Sequence, residues 1–274
     1  MAVGFIGTGS MGSMLVESLI EAQAVEQHDI VVINRTVTKS TALKDAFPKI
    51  KIAYTLKELV KRCNWLFICV KPKDMPNLFK ELAPIVDTNQ LAISITSPVS
   101  NADLDAALPC KSCRAIPSIL NRAHSGSTLL SFGEKCGPKD QDNITQFISS
   151  ISKPLHIEEQ ITRVSSDIVS CGPAFFSYLA QRFIEGAVNQ TDITEEEATE
   201  LTTSMLIGLG KLLEQEHYTL PTLQKRVCVP GGITGVGIDV LEQMVGSGFD
   251  ELFKQTHKKY LDEKEKLTVE FSYK

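Results

Sequence analysis

Residues 3–12 read VGFIGTGSMG. A short apolar run enters Gly7, Gly9 and Gly12 in G-x-G-x-x-G spacing, and a helical apolar pattern continues to about Ala22. The spacing alone is a weak sign. Its setting strengthens it: a strand pattern before, a helix after, and a second strand pattern, DIVVINR, ending about 20 residues on. In that setting Gly7 permits a tight turn. Gly9 lets the backbone approach a pyrophosphate, and Gly12 lets the helix pack close to the strand. The helix N-terminus then offers free N–H groups and the positive end of its dipole to phosphates. Thr8, Ser10 and Met11 complete this expected cofactor loop. The plain alternative is a strand-to-helix turn that holds no ligand.

Working outward, strand and helix patterns alternate. Further strands are expected at IKIAY, WLFICVK, LAISIT, RAIP, STLLSF and PLHIEE. WLFICVK is nearly all apolar, as a strand buried on both faces should be. Thr55 with Glu58, and Ser100 with Asp103, have the spacing of helix N-caps. Such alternation predicts an α/β domain with a doubly wound parallel sheet of Rossmann type. After about Glu159 the strand signal stops. A helical pattern covers residues 161–190, interrupted at CGPA. A long helix opens at Thr194 with Glu197 as capping partner and runs to about Glu216, and two more helices flank a second glycine cluster. The expected division is residues 1–158, α/β, and residues 159–274, all-α.

The end of the second strand bears on which dinucleotide would bind. An NAD site usually has Asp or Glu there, on the ribose 2′-hydroxyl. This chain has Asn34, Arg35 and Thr36, with Lys39 close behind. Arg can grip a 2′-phosphate with a bidentate fork, whereas a carboxylate would repel it. NADP(H) is therefore favoured over NAD(H), although a neutral Asn34 does not exclude NADH. Val70, Lys71 and Pro72 close the fourth strand, at the end that faces the ligand crevice in parallel sheets. Lys71 as an ordinary surface lysine fits nearly as well.

Composition removes other classes. The formal charge of −5 does not favour a nucleic-acid partner. The longest apolar runs are strand-length, far short of the ~20 residues of a membrane helix. The first residues read as a strand, not a signal peptide. Seven cysteines, an odd number, suggest free thiols in a reducing compartment, the cytoplasm. Cys110 and Cys113 form one C-x-x-C without the two further ligands that zinc would want, and the five histidines show no metal spacing. No metal site is expected.

The second glycine cluster, VCVPGGITGVGIDVLE at residues 227–242, leads into helical spacing. Pro230, Gly231, Gly232 and Ile233 can curl so that backbone N–H groups converge at a helix N-terminus, an anion site suited to a small carboxylate. Thr234 adds a hydroxyl. A glycine-rich helix connection is the alternative.

With this cluster, the whole chain from Val3 to about Phe253 resembles the pyrroline-5-carboxylate reductase family. GFIGTGSMG, NRT, VKP, SCGPAFF and, most specifically, VPGGITGVGIDVLE carry the likeness. The last resembles that family's Ser-Pro-Gly-Gly-Thr-Thr segment. Within the family the chain is most similar to the branch encoded with bacterial late-competence genes. The resemblance implies reduction of the C=N bond of 1-pyrroline-5-carboxylate, or a related cyclic imine carboxylate, to proline with NAD(P)H. It implies that the Gly231 and Gly232 amides hold the substrate carboxylate and that Thr234 is catalytic, its hydroxyl near the ring nitrogen. Glu216 is matched to an acid of the preceding helix. The helical half is implied to form a homodimer and carry the substrate site.

Departures from the family pattern are specific. Val229 stands for the signature Ser and Ile233 for its first Thr. Ser118, Ile119 and Leu120 stand where the family has Asn-Thr-Pro. Val169 and Cys171 replace two serines. Each loss of a polar group bears on what a hydrogen-bonding site can hold. The second expectation is accordingly an NADP(H)-binding regulatory or accessory paralogue with little reductase activity. A two-domain hydroxyacid dehydrogenase is a weaker third, because its lysine base is missing from SSDIVSCGPAFF.

Overall fold

A computed structural model describes residues 1–272, with side chains through residue 267. Residues 273 and 274, the end of the expected helical half, lie outside the described residues. The eight expected strands form one sheet: β1 (Val3–Ile6), β2 (Ile30–Ile33), β3 (Lys51–Ile52), β4 (Trp65–Ile68), β5 (Leu91–Ser94), β6 (Lys111–Ile116), β7 (Ser127–Phe132) and β8 (Lys153–His156). Their order is β3-β2-β1-β4-β5-β6-β7-β8. Strands β1 to β6 are parallel, as the alternation predicts. β7 is antiparallel to β6, and β8 is parallel to β7. The sheet is thus the expected parallel, doubly wound one with a single antiparallel pairing. A parallel partner for β6 would need a crossover of a dozen or more residues. Residues 117–126 supply only a short 3₁₀ turn, Ile119–Ala123, so the chain doubles back.

Alternation along the strands sorts their side chains into two apolar layers. Val3, Phe5, Ile30, Val32, Phe67, Leu91 and Ile93 face one way. Ile6, Val31, Leu66, Ile68 and Ala92 face the other. Both layers are covered by helices, as the period of two and the apolar composition require. Phe5 and Phe67, register partners on β1 and β4, stack with ring centres 4.9 Å apart. The caps form as their spacing indicates. The Glu58 N–H donates to Thr55 Oγ1 at 3.1 Å, the Asp103 N–H to Ser100 Oγ at 3.1 Å, and the Glu197 N–H to Thr194 Oγ1 at 3.2 Å.

The junction of β1 with the helix Ser10–Glu21 is the tightest in the sheet region. Gly7 has φ +101, a conformation that favours glycine, and a Cβ there would sit 2.8 Å from the Cys69 carbonyl oxygen. At Gly12 the constraint is closeness: a Cβ would sit 2.1 Å from the Gly7 carbonyl oxygen.

The chain forms two compact units, Met1–Pro173 with Thr256–Lys274, and Ala174–Gln255. Strands end at His156, close to the expected division at 158, but the first unit continues further. Residues 159–171 are held to the sheet by polar side chains. Arg114 of β6 is fully buried, and it donates to the Glu159 carboxylate, to Thr162 Oγ1 at 3.2 Å, to the Ser97 carbonyl at 3.1 Å and to Ser131 Oγ at 3.1 Å. The expected interruption at CGPA is not a break. A π-helical turn, Asp167–Cys171, joins Thr162–Ser166 to Gly172–Gln190. Pro173 has no N–H and its ring would crowd the carbonyl four residues back, that of Val169. A wider turn relieves this. The Val169 carbonyl instead accepts from Ser118 Oγ at 2.7 Å, and Ser170 Oγ donates to the Pro117 carbonyl at 2.8 Å.

The last helix, Gly248–Ser272, returns to the first unit. Thr256 Oγ1 donates to Asp167 Oδ2 at 2.8 Å, and Arg163 pairs with Asp167 Oδ1 at 2.6 Å. Tyr260 is buried with the Arg163 guanidinium and the Lys264 ammonium each 5.6 Å from its ring centre. The second unit holds helices Glu195–Glu214, Leu220–Val227 and Ile233–Val245. Its apolar side chains are largely exposed in the single chain, among them Phe176, Phe183, Leu201 and Met244.

Two stability outcomes follow from this packing. Arg114→Met should lower unfolding stability by about 3 kcal/mol or more, because it strands the buried groups that Arg114 satisfies; an unchanged denaturant midpoint would refute that role. Gly12→Ala should cost about 1–3 kcal/mol by overpacking, whereas Gly9→Ala, whose Cβ would meet nothing within 4 Å, should cost under about 1 kcal/mol. Equal melting temperatures for the two variants would contradict the close approach.

Candidate functional site

The strand order reverses between β1 and β4, and ligands of open α/β sheets sit beyond the carboxyl ends of the strands at such a point. A cleft of about 690 Å³ lies there. Of the expected cofactor residues, Gly7, Gly9, Asn34, Arg35, Thr36, Val70 and Lys71 line it. Thr8, Ser10, Met11, Gly12 and Pro72 do not. Gly12 is buried at the helix–strand contact, and Pro72 opens the 3₁₀ turn Pro72–Asp74. Ser10 and Met11 are the first two residues of the helix that follows Gly9.

The local geometry suits a phosphate-rich ligand. Gly9 is the N-cap of the helix Ser10–Glu21, and no side chain caps it, so the first-turn N–H groups have no side-chain acceptor. The space in front of Gly9 is open. Thr8 is 3% exposed, and its hydroxyl has no hydrogen-bond partner. An uncapped helix N-terminus with open space in front of it fits a ligand with acceptor oxygens. The cleft also carries Arg35, Lys39, Lys71 and Lys73 against Asp74 and Glu81, a balance that favours an anion.

Asn34 lines the cleft and is also bonded within the fold. Its Oδ1 accepts the Thr8 N–H at 3.0 Å, and its Nδ2 donates to the Thr36 carbonyl at 3.0 Å. Both ends of the amide are thus engaged in tying the glycine loop to the end of β2. An aspartate could keep the first bond but not the second. Arg35 is 90% exposed, and its guanidinium lies 3.9 Å from Asp74.

Sequence reasoning missed Ser40, Tyr54, Lys73, Asp74 and Glu81, which share the cleft. Only the sheet order signals them, because it sets the loops after β2, β3 and β4 along one edge. A second cleft of about 620 Å³, lined by Lys57, Lys61, Arg62 and Gln90, lies at the opposite edge, beside the amino ends of β4 and β5. Its Gln90 amide donates to the Val60 and Cys63 carbonyls at 2.7 and 2.6 Å, so that amide is spent within the fold. Thiols are no better candidates. All seven cysteines are free, and burial pushes Cys63 up to about 12 and Cys136 to about 11, so both are protonated and poorly nucleophilic near neutrality.

In the second unit, Gly231 has φ +74 and Gly232 is the N-cap of the helix Ile233–Val245, again without a side-chain cap. The Gly232 N–H donates to the Val229 carbonyl at 2.9 Å. It is therefore engaged in the turn, and the open donors are those of the helix's first turn. Ile233 opens the helix, where the loop was expected to include it, and Thr234 is the second helical residue. Pro230 and Thr234 are exposed, as are Val229 at 60% and Ile233 at 91%. Glu216 is not on a helix. The long helix ends at Glu214, and Glu216 turns out with φ +55, its N–H bonded to the Leu213 carbonyl at 3.1 Å. The expected helix end, about Glu216, thus lies two residues past the observed one.

Comparison with known proteins follows the same outline. Residues 158–266 match the family model for pyrroline-5-carboxylate reductase dimerisation, and residues 2–98 match that for NADP oxidoreductase, coenzyme F420-dependent. The chain is 47% identical to ComE operon protein 4 of Bacillus subtilis, over 95% of each chain. It is 28% identical to pyrroline-5-carboxylate reductase 3 of the same organism, over 94% of this chain and 95% of that one. In fold it is similar to the Plasmodium falciparum pyrroline carboxylate reductase solved with NADP bound, at 19% identity and a TM-score of 0.81 over 99% and 98% of the two chains. It is also similar to 1-pyrroline-5-carboxylate reductase from Streptococcus pyogenes, at 18% identity and a TM-score of 0.84 over 95% and 98%. The junction geometry, the sheet order and these likenesses agree: the chain belongs to the pyrroline-5-carboxylate reductase family and has the fold of an NADP-binding oxidoreductase.

Proposed function

We propose that the chain is an NADPH-dependent reductase of 1-pyrroline-5-carboxylate or a related cyclic imine carboxylate. The observation that carries this reading is the uncapped, open glycine junction beside a cationic β2 end. Gly7, Gly9 and the first turn after them would hold the pyrophosphate. Asn34 would set that loop, and Arg35, Thr36 and Lys39 would meet a 2′-phosphate. With no carboxylate at the end of β2, and the Asn34 amide engaged, nothing there takes the part of a ribose-binding acid. Val70, Lys71 and Pro72 would border the cofactor, and a bound reduced nicotinamide supplies hydride.

The chain's own part is to hold the substrate. First-turn amides of the helix Ile233–Val245 would take the carboxylate, with the turn at Pro230–Gly232 keeping that helix end open. The Thr234 hydroxyl would hydrogen-bond at the ring nitrogen, as the family resemblance implies. A cyclic imine can arrive protonated, so the protein need deliver no proton to the ring nitrogen when hydride adds to the imine carbon. Orientation then carries much of the rate. The exposed apolar faces of the second unit are proposed to be covered by a second copy, as a homodimer or higher homo-oligomer. Seven free thiols suit a cytoplasmic setting, and among the described residues no helix is long and apolar enough to cross a membrane.

A second reading, an NADP(H)-binding accessory paralogue, is favoured by Val229 and Ile233, which put apolar bulk beside the proposed carboxylate site. Ser118 carries no weight either way, because it is fully buried and bonded to the Val169 carbonyl.

Absorbance at 340 nm, with NADPH and pyrroline-5-carboxylate added to purified protein, separates the two. Substrate-dependent oxidation is expected, and Thr234→Ala should lower kcat/KM about 10- to 100-fold, the loss of a hydrogen bond to a charged group. Unaltered turnover in that variant would remove Thr234 from the site. Tight NADPH binding without oxidation would replace the reductase with the accessory reading.

A further inference from the structure

Arg35 and Asp74 come from the ends of β2 and β4, the two strands that flank β1. The pair therefore reaches across the glycine loop that follows β1, and both residues line the same cleft. Their separation of 3.9 Å is at the outer limit of an ion pair and too long for a hydrogen bond. It is the single ion pair Arg35 makes among the described residues. Asp74 is the last residue of the 3₁₀ turn Pro72–Asp74, which runs into the helix Met75–Leu82, and its side chain makes no capping bond. The carboxylate is 38% exposed on the side-chain scale. With the Asp74 backbone already helical, its carboxylate is not engaged in capping and is left to face the cleft. Here it faces the one guanidinium that the cofactor's 2′-phosphate would need.

We propose that Asp74 is a specificity-determining residue, a carboxylate that competes with the cofactor's 2′-phosphate for Arg35. The inference rests on the NADPH reading above. A 2′-phosphate presents three oxygens and close to two negative charges, which a guanidinium can bind in a fork. To do so Arg35 gives up its contact with Asp74, and the phosphate comes to rest near a second anion. NADH has a 2′-hydroxyl and meets neither demand. Asp74 thus narrows the preference for NADPH that Arg35 and Lys39 create, by the same kind of repulsive element that sets specificity elsewhere. Because the pair is exposed, its effect is modest and falls with ionic strength.

The test is an equilibrium titration of NADPH and NADH, read by nicotinamide fluorescence, on the wild type, Asp74→Asn, Arg35→Ala and the double variant. Asparagine keeps the size of the residue and removes its charge. Asp74→Asn should tighten NADPH about two- to fivefold, the range of an exposed ion pair, and leave NADH unchanged. The gain should shrink at about 0.5 M salt and disappear in the Arg35→Ala background. NADPH affinity that is unchanged or weaker in Asp74→Asn, an equal change for NADH, or a gain that survives without Arg35 would each overturn the inference. The cofactor reading fails separately: if Arg35→Ala leaves the NADPH-to-NADH affinity ratio of the wild type unaltered, Arg35 does not read the 2′-phosphate, whatever Asp74→Asn does.

Discussion

The close approach of Gly12 to the Gly7 carbonyl is the constraint on which the site depends. A Cβ at either glycine would meet backbone: at Gly12 the Gly7 oxygen, at Gly7 the Cys69 oxygen. Only without those carbons can the helix Ser10–Glu21 start hard against the end of β1. That start puts unpaired first-turn N–H groups at the sheet edge, where the strand order reverses. Asn34 then ties the loop to β2 through the Thr8 N–H. The positions of Arg35 and Thr36 follow from that tie, because the same amide holds the Thr36 carbonyl. Chemistry at the edge is thus set by packing one turn below it.

A different economy governs residues 159–173 and the last helix. These segments are held by polar and charged groups, with Arg114 and Asp167 both buried, besides the apolar packing of Leu267 at the end of the last helix. A buried cation is costly unless each of its donors is met, and Arg114 meets oxygens of four residues from three separate segments. The π turn fits this scheme. The carbonyl that Pro173 displaces is taken up by Ser118. Ser118, a departure from the family pattern, is therefore explained as a structural partner of the helix. Val229 and Ile233 have no such internal partner and stay exposed.

Much of the fold was legible in the sequence because local rules agreed. Apolar alternation marked eight strands, and the caps at Thr55, Ser100 and Thr194 followed from side chains three residues apart. What escaped depends on contacts distant in sequence. The reversal of β7 is decided by the short link after β6, which periodicity does not see. Burial of Arg114 cannot be read from RAIP, since its partners come from elsewhere in the chain. The long helix stops at Glu214 with no glycine to announce it. At the candidate site, the glycine junction and Arg35 were legible from spacing, while Asp74 reached the cleft only through the sheet order. Asn34 was expected as a cofactor contact, and its engagement with Thr8 was not foreseeable without the loop's geometry.

The central claim is that the junction after β1 is where a dinucleotide sits. Amide hydrogen exchange, measured with and without NADPH, tests it directly. Addition of NADPH should slow exchange in residues 7–13 and 34–40, while residues 57–64, at the opposite edge of the sheet, keep their rates. Protection confined to residues 57–64, or no change in residues 7–13 at saturating NADPH, would contradict the account.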